Sequence, residues 1–109
     1  MKGQISLFEI IGTDNLDVDL NEIMEEDMAN MVGRALGLTF TQNEFGNYLA
    51  KIKNLIITVS FLNYMIDDHR RFIDIDWHNK KTTAGGGRPC DSVREAISWV
   101  RKKIEEETT

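Results

Sequence analysis

Leu55-Ile56-Ile57-Thr58-Val59-Ser60-Phe61-Leu62-Asn63-Tyr64 is a ten-residue run rich in β-branched and aromatic side chains. Its positions alternate: Leu55, Ile57, Val59 and Phe61 point one way, and Ile56, Thr58, Ser60 and Leu62 the other. A second such run, Arg71 to His78, follows after the polar group Asp67-Asp68-His69-Arg70, which reads as a turn. There Ile73, Ile75 and Trp77 share a face, with Phe72, Asp74, Asp76 and His78 opposite. Upstream, Lys53-Asn54 reads as a tight turn joining the long strand to Tyr48–Ile52. Before that, Leu38-Thr39-Phe40-Thr41 reads as a short strand. Four consecutive strands joined by short turns make an antiparallel meander.

Helical spacing flanks the meander. Asp19 can cap a helix running to about Leu36, with Leu20, Ile23, Met24, Met28, Met31, Val32, Ala35 and Leu36 at intervals of three and four. Gly37 then ends it. At the far end, Ser92 and Glu95 fit a capping box, and Val93, Ala96, Ile97, Val100 and Ile104 form a buried stripe. Between the last strand and this helix, residues 79–89 (NKKTTAGGGRP) read as a long flexible connection. The expected architecture is α+β: an N-terminal helix, a four-stranded antiparallel meander, and a C-terminal helix packed on the sheet. Residues 1–18 form an apolar and acidic N-terminal segment, and 19–109 a single domain.

Composition narrows the function classes. With 41% hydrophobic and 28% charged residues, the 109-residue chain has globular rather than disordered composition. No apolar run approaches the roughly 18 residues of a membrane span, and the first residues do not read as a secretory signal. Cys90 is the single cysteine, so no internal disulfide forms and a reducing, cytoplasmic compartment is expected. The net charge of −5 is uneven: residues 1–30 hold eight acids against Lys2 alone. That imbalance suits a basic partner and disfavours direct sequence-specific DNA binding, which needs a basic footprint.

The candidate chemistry is thin. Asp74, Asp76 and His78 share a strand face and, with His69 and Cys90, offer carboxylate, imidazole and thiolate ligands, but at no zinc-motif spacing. Asp74 and Asp76 followed by Lys80 lack the further carboxylate of metal-dependent nucleases. Gly85-Gly86-Gly87 matches no phosphate-loop pattern, and Cys90 has no histidine to activate it. Trp77 and Trp99 read as core or interface anchors. No base, nucleophile and oxyanion site come together, so neither enzymatic activity nor a cofactor is expected; a small metal-stabilised structural domain, with Asp74, Asp76 and His78 as candidate ligands, stands as a further alternative to a binding role.

Two stretches carry resemblances. Gln4-Ile5-Ser6-Leu7-Phe8 resembles the peptide by which bacterial replication and repair proteins dock on the sliding clamp; carried over, Gln4, Leu7 and Phe8 would be its anchors, with Ile5 where leucine is commoner. Residues 72–81 (FIDIDWHNKK) and 85–92 (GGGRPCDS), with the helix after them, resemble small proteins of phages and mobile elements in low-GC Gram-positive bacteria. Some small acidic proteins in that setting are anti-CRISPR proteins that block type II-A Cas9. The resemblance implies stoichiometric binding to a host protein, Cas9 or its guide-RNA complex, with the sliding clamp as the alternative partner. Cas9 grips nucleic acid in basic channels, so the array facing it would be Asp17, Asp19, Glu22, Glu25, Glu26 and Asp27. Lys80, Lys81 and Arg88 would be the residues able to touch guide RNA.

Overall fold

A computed structural model describes residues 16–108. A 3-10 turn (Leu20–Glu22) leads into α1 (Glu25–Leu36), then β1 (Thr41–Gln42), β2 (Tyr48–Ile52), β3 (Leu55–Tyr64), β4 (Asp67–Asn79), β5 (Gly85–Cys90) and α2 (Val93–Glu107). The strands form one antiparallel sheet in the order β1-β2-β3-β4-β5. The α+β class holds, with five strands in the sheet among the described residues where four were expected. No helix is long and apolar enough to cross a membrane among the described residues.

The alternation in β3 and β4 sorts the sheet into two faces. Val59 pairs with Ile75 and Phe61 with Ile73, and Leu55, Ile57, Val59, Ile73 and Ile75 are all buried. Ala50 of β2 and Cys90 of β5 complete that face, against Met28, Met31 and Val32 of α1 and Val93, Ala96, Ile97 and Val100 of α2. Both helices therefore lie on one side. On the other side Ile56, Thr58, Ser60, Phe72 and Asp74 are half-buried, and Leu62, Asp76 and His78 are exposed. Leu16 and Val18 pack against the core, and the Leu16 carbonyl accepts the Arg94 N–H at 3.2 Å, so the packed domain reaches back at least to residue 16.

Four local expectations need correction. The N-terminal helix is not continuous from Asp19. The Asp19 side chain accepts from Asn21 N at 2.9 Å and closes a single 3-10 turn, a local bond that competes with helix propagation. Ile23 and Met24 are extended, which buries Ile23 and leaves Met24 69% exposed. Second, Leu38–Thr41 is mostly not strand. Gly37 takes a left-handed conformation (φ 70°), and the N–H groups of Gly37 and Leu38 both return to Gly33 O. Phe40 drops into the core, and only Thr41 and Gln42 pair with β2.

Third, the polar group Asp67–Arg70 is not the turn. The hairpin reverses at Met65-Ile66, after a register shift at Asn63/Tyr64 that lets Tyr64 pair with Asp67. Fourth, residues 79–89 are not a flexible connection. Buried Asn79 organises the reversal: its Oδ1 accepts from Lys81 N (2.9 Å) and Thr82 N (3.2 Å), and its Nδ2 donates to Glu107 of α2. Thr83 at φ 64° completes the turn, and Gly85–Cys90 then pairs with β4. At the end of β5, Ser92 Oγ accepts from Glu95 N at 3.1 Å as the capping pattern requires. Glu95 Oε1 reaches back to Asp91 N, one residue before the cap.

Gly33 shows how tightly α1 is joined to the turn at its C-terminal end. A Cβ there would lie 2.5 Å from the Leu38 carbonyl oxygen and 3.2 Å from the Phe40 ring. The first neighbour is backbone and has no rotamer to yield with. Gly33→Ala should therefore destabilise the fold by about 1–3 kcal/mol despite alanine's better helix propensity. A lowered urea midpoint at unchanged slope is the expected reading; a midpoint equal to wild type would show that the turn after α1 gives way freely.

Candidate binding surface

The carboxylates before and at the start of α1 divide into two groups. Asp17 is held by the Arg94 guanidinium in a two-pronged contact of 3.1 and 3.3 Å, and Asp19 caps its own turn. Glu25 is used internally, its Oε2 accepting the Phe61 backbone N–H at 2.7 Å and fastening α1 to β3. Glu22 and Glu26 are exposed and Asp27 is half-buried. The outward acidic surface is therefore narrower than the six-residue array, and Glu22, Glu26 and Asp27 are its core. The field of the acids in the first turn of α1 reaches the sheet. Partial burial, and then Glu26, Glu25 and Asp27 in that order, raise the Tyr48 phenol above its ordinary value.

Exposed apolar side chains lie beside Glu25. Ile23, Met24, Glu25, Phe61, Leu62, Asn63 and Arg71 line a groove of about 530 Å³. Met24 is 69% and Leu62 46% exposed, and the β3–β4 tip presents Met65 and Ile66 almost fully to solvent. Arg71 covers the Phe61 ring at 5.1 Å, and Arg70 the Tyr64 ring at 4.6 Å. Tyr64 in turn donates its hydroxyl to Asp91. Apolar area rimmed by charge is the usual composition of a protein-binding surface. Sequence reading passed over this tip, although Met65-Ile66 between Asn63-Tyr64 and Asp67 is an apolar pair where a turn is ordinarily polar.

The other candidate residues do not converge. Lys80 and Lys81 sit exposed in the β4–β5 turn. Arg88 lies farther along β5 on the helix-covered side, paired with Glu95 at 3.3 Å. Asp74 and Asp76 do meet, as a hydrogen-bonded pair; burial first, and then the bond to and charge of Asp76, push the Asp74 carboxyl up to about 6. His78 is exposed farther along the strand, and among the described residues no three His, Cys, Asp or Glu side chains gather as a metal site needs. Cys90 is 1% exposed, and burial, with Glu95 next, pushes its thiol up to about 11, the reverse of nucleophile activation. Gln4, Leu7 and Phe8, and the side chain of His69, lie outside the described part. No family model, curated protein or solved structure matches this chain.

Two outcomes test this division. Glu25→Ala strands the Phe61 N–H and should cost about 1–3 kcal/mol, whereas Glu26→Ala should stay within about 0.5 kcal/mol of wild type; equal costs in chemical denaturation would contradict the assignment. For Asp74, the folded-state value near 6 lies above the ordinary carboxyl value of 3.8. Between those values the folded protein holds a proton that the unfolded chain has released. The associated stability is complete below the unfolded value and is lost as pH rises through 6. Asp74→Asn should thus be more stable than wild type at pH 7.5, with the advantage shrinking toward pH 4; melting curves at both pH values read the difference.

Proposed function

We propose that this chain acts by stoichiometric binding to a basic surface of a host nucleic-acid enzyme, as a phage or mobile-element accessory protein, with Cas9 as the target. The observation that supports it is the groove in which exposed Met24 and Leu62 lie beside Glu25, with Glu22 and Glu26 exposed on the same short stretch of chain. Carboxylates held at the start of a helix can stand where phosphates sit in a basic channel and speed association by steering. Neighbouring apolar side chains add the buried area that charge alone does not provide. The motif resemblance in residues 72–92 supplies the biological setting.

Cleavage of a target plasmid by guide-loaded type II-A Cas9, with and without the purified protein, tests the proposal. Inhibition saturating near one equivalent is expected. Reversing Glu22 and Glu26 to Lys should weaken it on the order of tenfold. Full cleavage at large molar excess, whether the protein is added before or after guide loading, rules Cas9 out. A second reading, tethering to the bacterial sliding clamp, rests on the Gln4–Phe8 motif. It predicts clamp retention in a pulldown that Gln4→Ala with Phe8→Ala abolishes.

A further inference from the structure

Among the described residues strand β5 lies at the edge of the sheet, and Gly85 to Pro89 are all exposed. Which of its backbone groups face outward is set by the hydrogen-bond phase. Asn79 N donates to Ala84 O at 2.8 Å, so Asn79 and Ala84 occupy a bonded position of the antiparallel ladder. Bonded pairs alternate with non-bonded ones. Trp77–Gly86, Ile75–Arg88 and Ile73–Cys90 are therefore the bonded pairs, and His78–Gly85, Asp76–Gly87 and Asp74–Pro89 the non-bonded ones. Pro89 agrees with this phase, since its missing N–H falls where β4 asks for none. The N–H groups of Gly85 and Gly87, and the carbonyls of Gly85, Gly87 and Pro89, point away from the sheet.

The side-chain environment of that edge is asymmetric. A Cβ on Gly87 would lie 2.5 Å from Asp76 Oδ1. The Asp76 carboxylate thus occupies the space above Gly87 and leans toward that edge, with Asp74 two residues away on the same face of β4. A strand laid antiparallel beside β5 would place the side chain opposite Gly87 on this same face, with Cβ atoms of such pairs normally about 5 Å apart. A lysine or arginine there reaches the carboxylates. Two copies of β5 paired about Gly87 would instead bring two Asp76 carboxylates across one seam, and like charges so placed repel.

We infer that the edge of β5, which has no neighbouring strand among the described residues, is a docking site for an extended, basic segment of another protein, which adds as a strand and sets a lysine or arginine opposite Gly87 over Asp76. Backbone bonds to Gly85 and Gly87 supply the pairing and the carboxylates select for positive charge, the usual division of labour in strand addition. The site is separate from the acidic end of α1, so failure of the Cas9 assay leaves it standing, and the reverse also holds.

The probe is an acetylated, amidated ten-residue peptide of alternating Thr and Lys, titrated into the full-length ¹⁵N-labelled protein. Two control peptides carry Glu in place of Lys, or a methyl group on each Lys backbone nitrogen. Shift changes and slowed amide exchange at Gly85 and Gly87 with the Thr–Lys peptide, and with neither control, are the expected result. Asp76→Asn, checked for an intact melting transition, should weaken that binding about threefold. Equal binding of the methylated peptide would reduce the effect to charge alone and overturn the proposal, as would no response at Gly85 and Gly87 at millimolar peptide. Protection of these amides in the free protein also overturns it, whether independent of dilution (the edge covered by the chain itself) or rising with concentration (a second copy).

Discussion

The antiparallel pairing of β3 with β4 is the constraint on which the rest of the molecule depends. Val59 opposite Ile75 and Phe61 opposite Ile73 put the large apolar side chains of both strands on one face. A slip of one residue would send those side chains to the other face and bring Asp74 and Asp76 toward the helices. With that register set, α1 and α2 have one apolar surface to cover. The same register places the two aspartates on the opposite face and decides what β5 can be.

Much of the polar structure serves to hold elements onto this sheet. Glu25 ties α1 to the Phe61 backbone, Asn79 ties the β4–β5 reversal to Glu107 of α2, and Asp17 ties the chain before α1 to Arg94. Lys103 of α2 lies over both Trp77 and Trp99, at 4.9 and 5.4 Å, and bonds Glu106 at 3.0 Å. Charges that look in sequence like a uniformly solvated population are thus partly structural. What remains outward is a smaller acidic group beside exposed apolar residues at one end, and a bare glycine edge beside a carboxylate pair along one side. Under the two proposals each feature would meet a positively charged protein, by different means. The first depends on field and burial, and the second on backbone hydrogen bonds with charge as the selector.

Periodicity predicted β2, β3, most of β4 and α2 closely, because each has an internal pattern repeated often enough to identify its period. The failures are equally physical. Asp19 can cap an α-helix or close a 3-10 turn, and the choice depends on the burial of Ile23 in a core that sequence does not display. The glycines of β5 look like a flexible connection because they carry no side-chain pattern. They are strand because their backbone pairs with β4, and Asp76 and Trp77 of β4 fill the space that side chains there would take; a Cβ on Gly86 would lie 3.1 Å from Trp77 Nε1.

By itself, the sequence determined the α+β class, the two faces of the long strands, the Lys53-Asn54 turn and the Ser92 cap, all of which depend on neighbours within a few residues. Tertiary structure alone decided which carboxylates are free. Glu25 and Glu26 are chemically alike and adjacent, yet one accepts a backbone N–H from a strand 36 residues away and the other faces solvent. The same holds for the fifth strand, the Met65-Ile66 tip and the Asp74–Asp76 pair over Gly87. Each depends on which distant backbone or side chain occupies the adjoining space, and local composition does not carry that information.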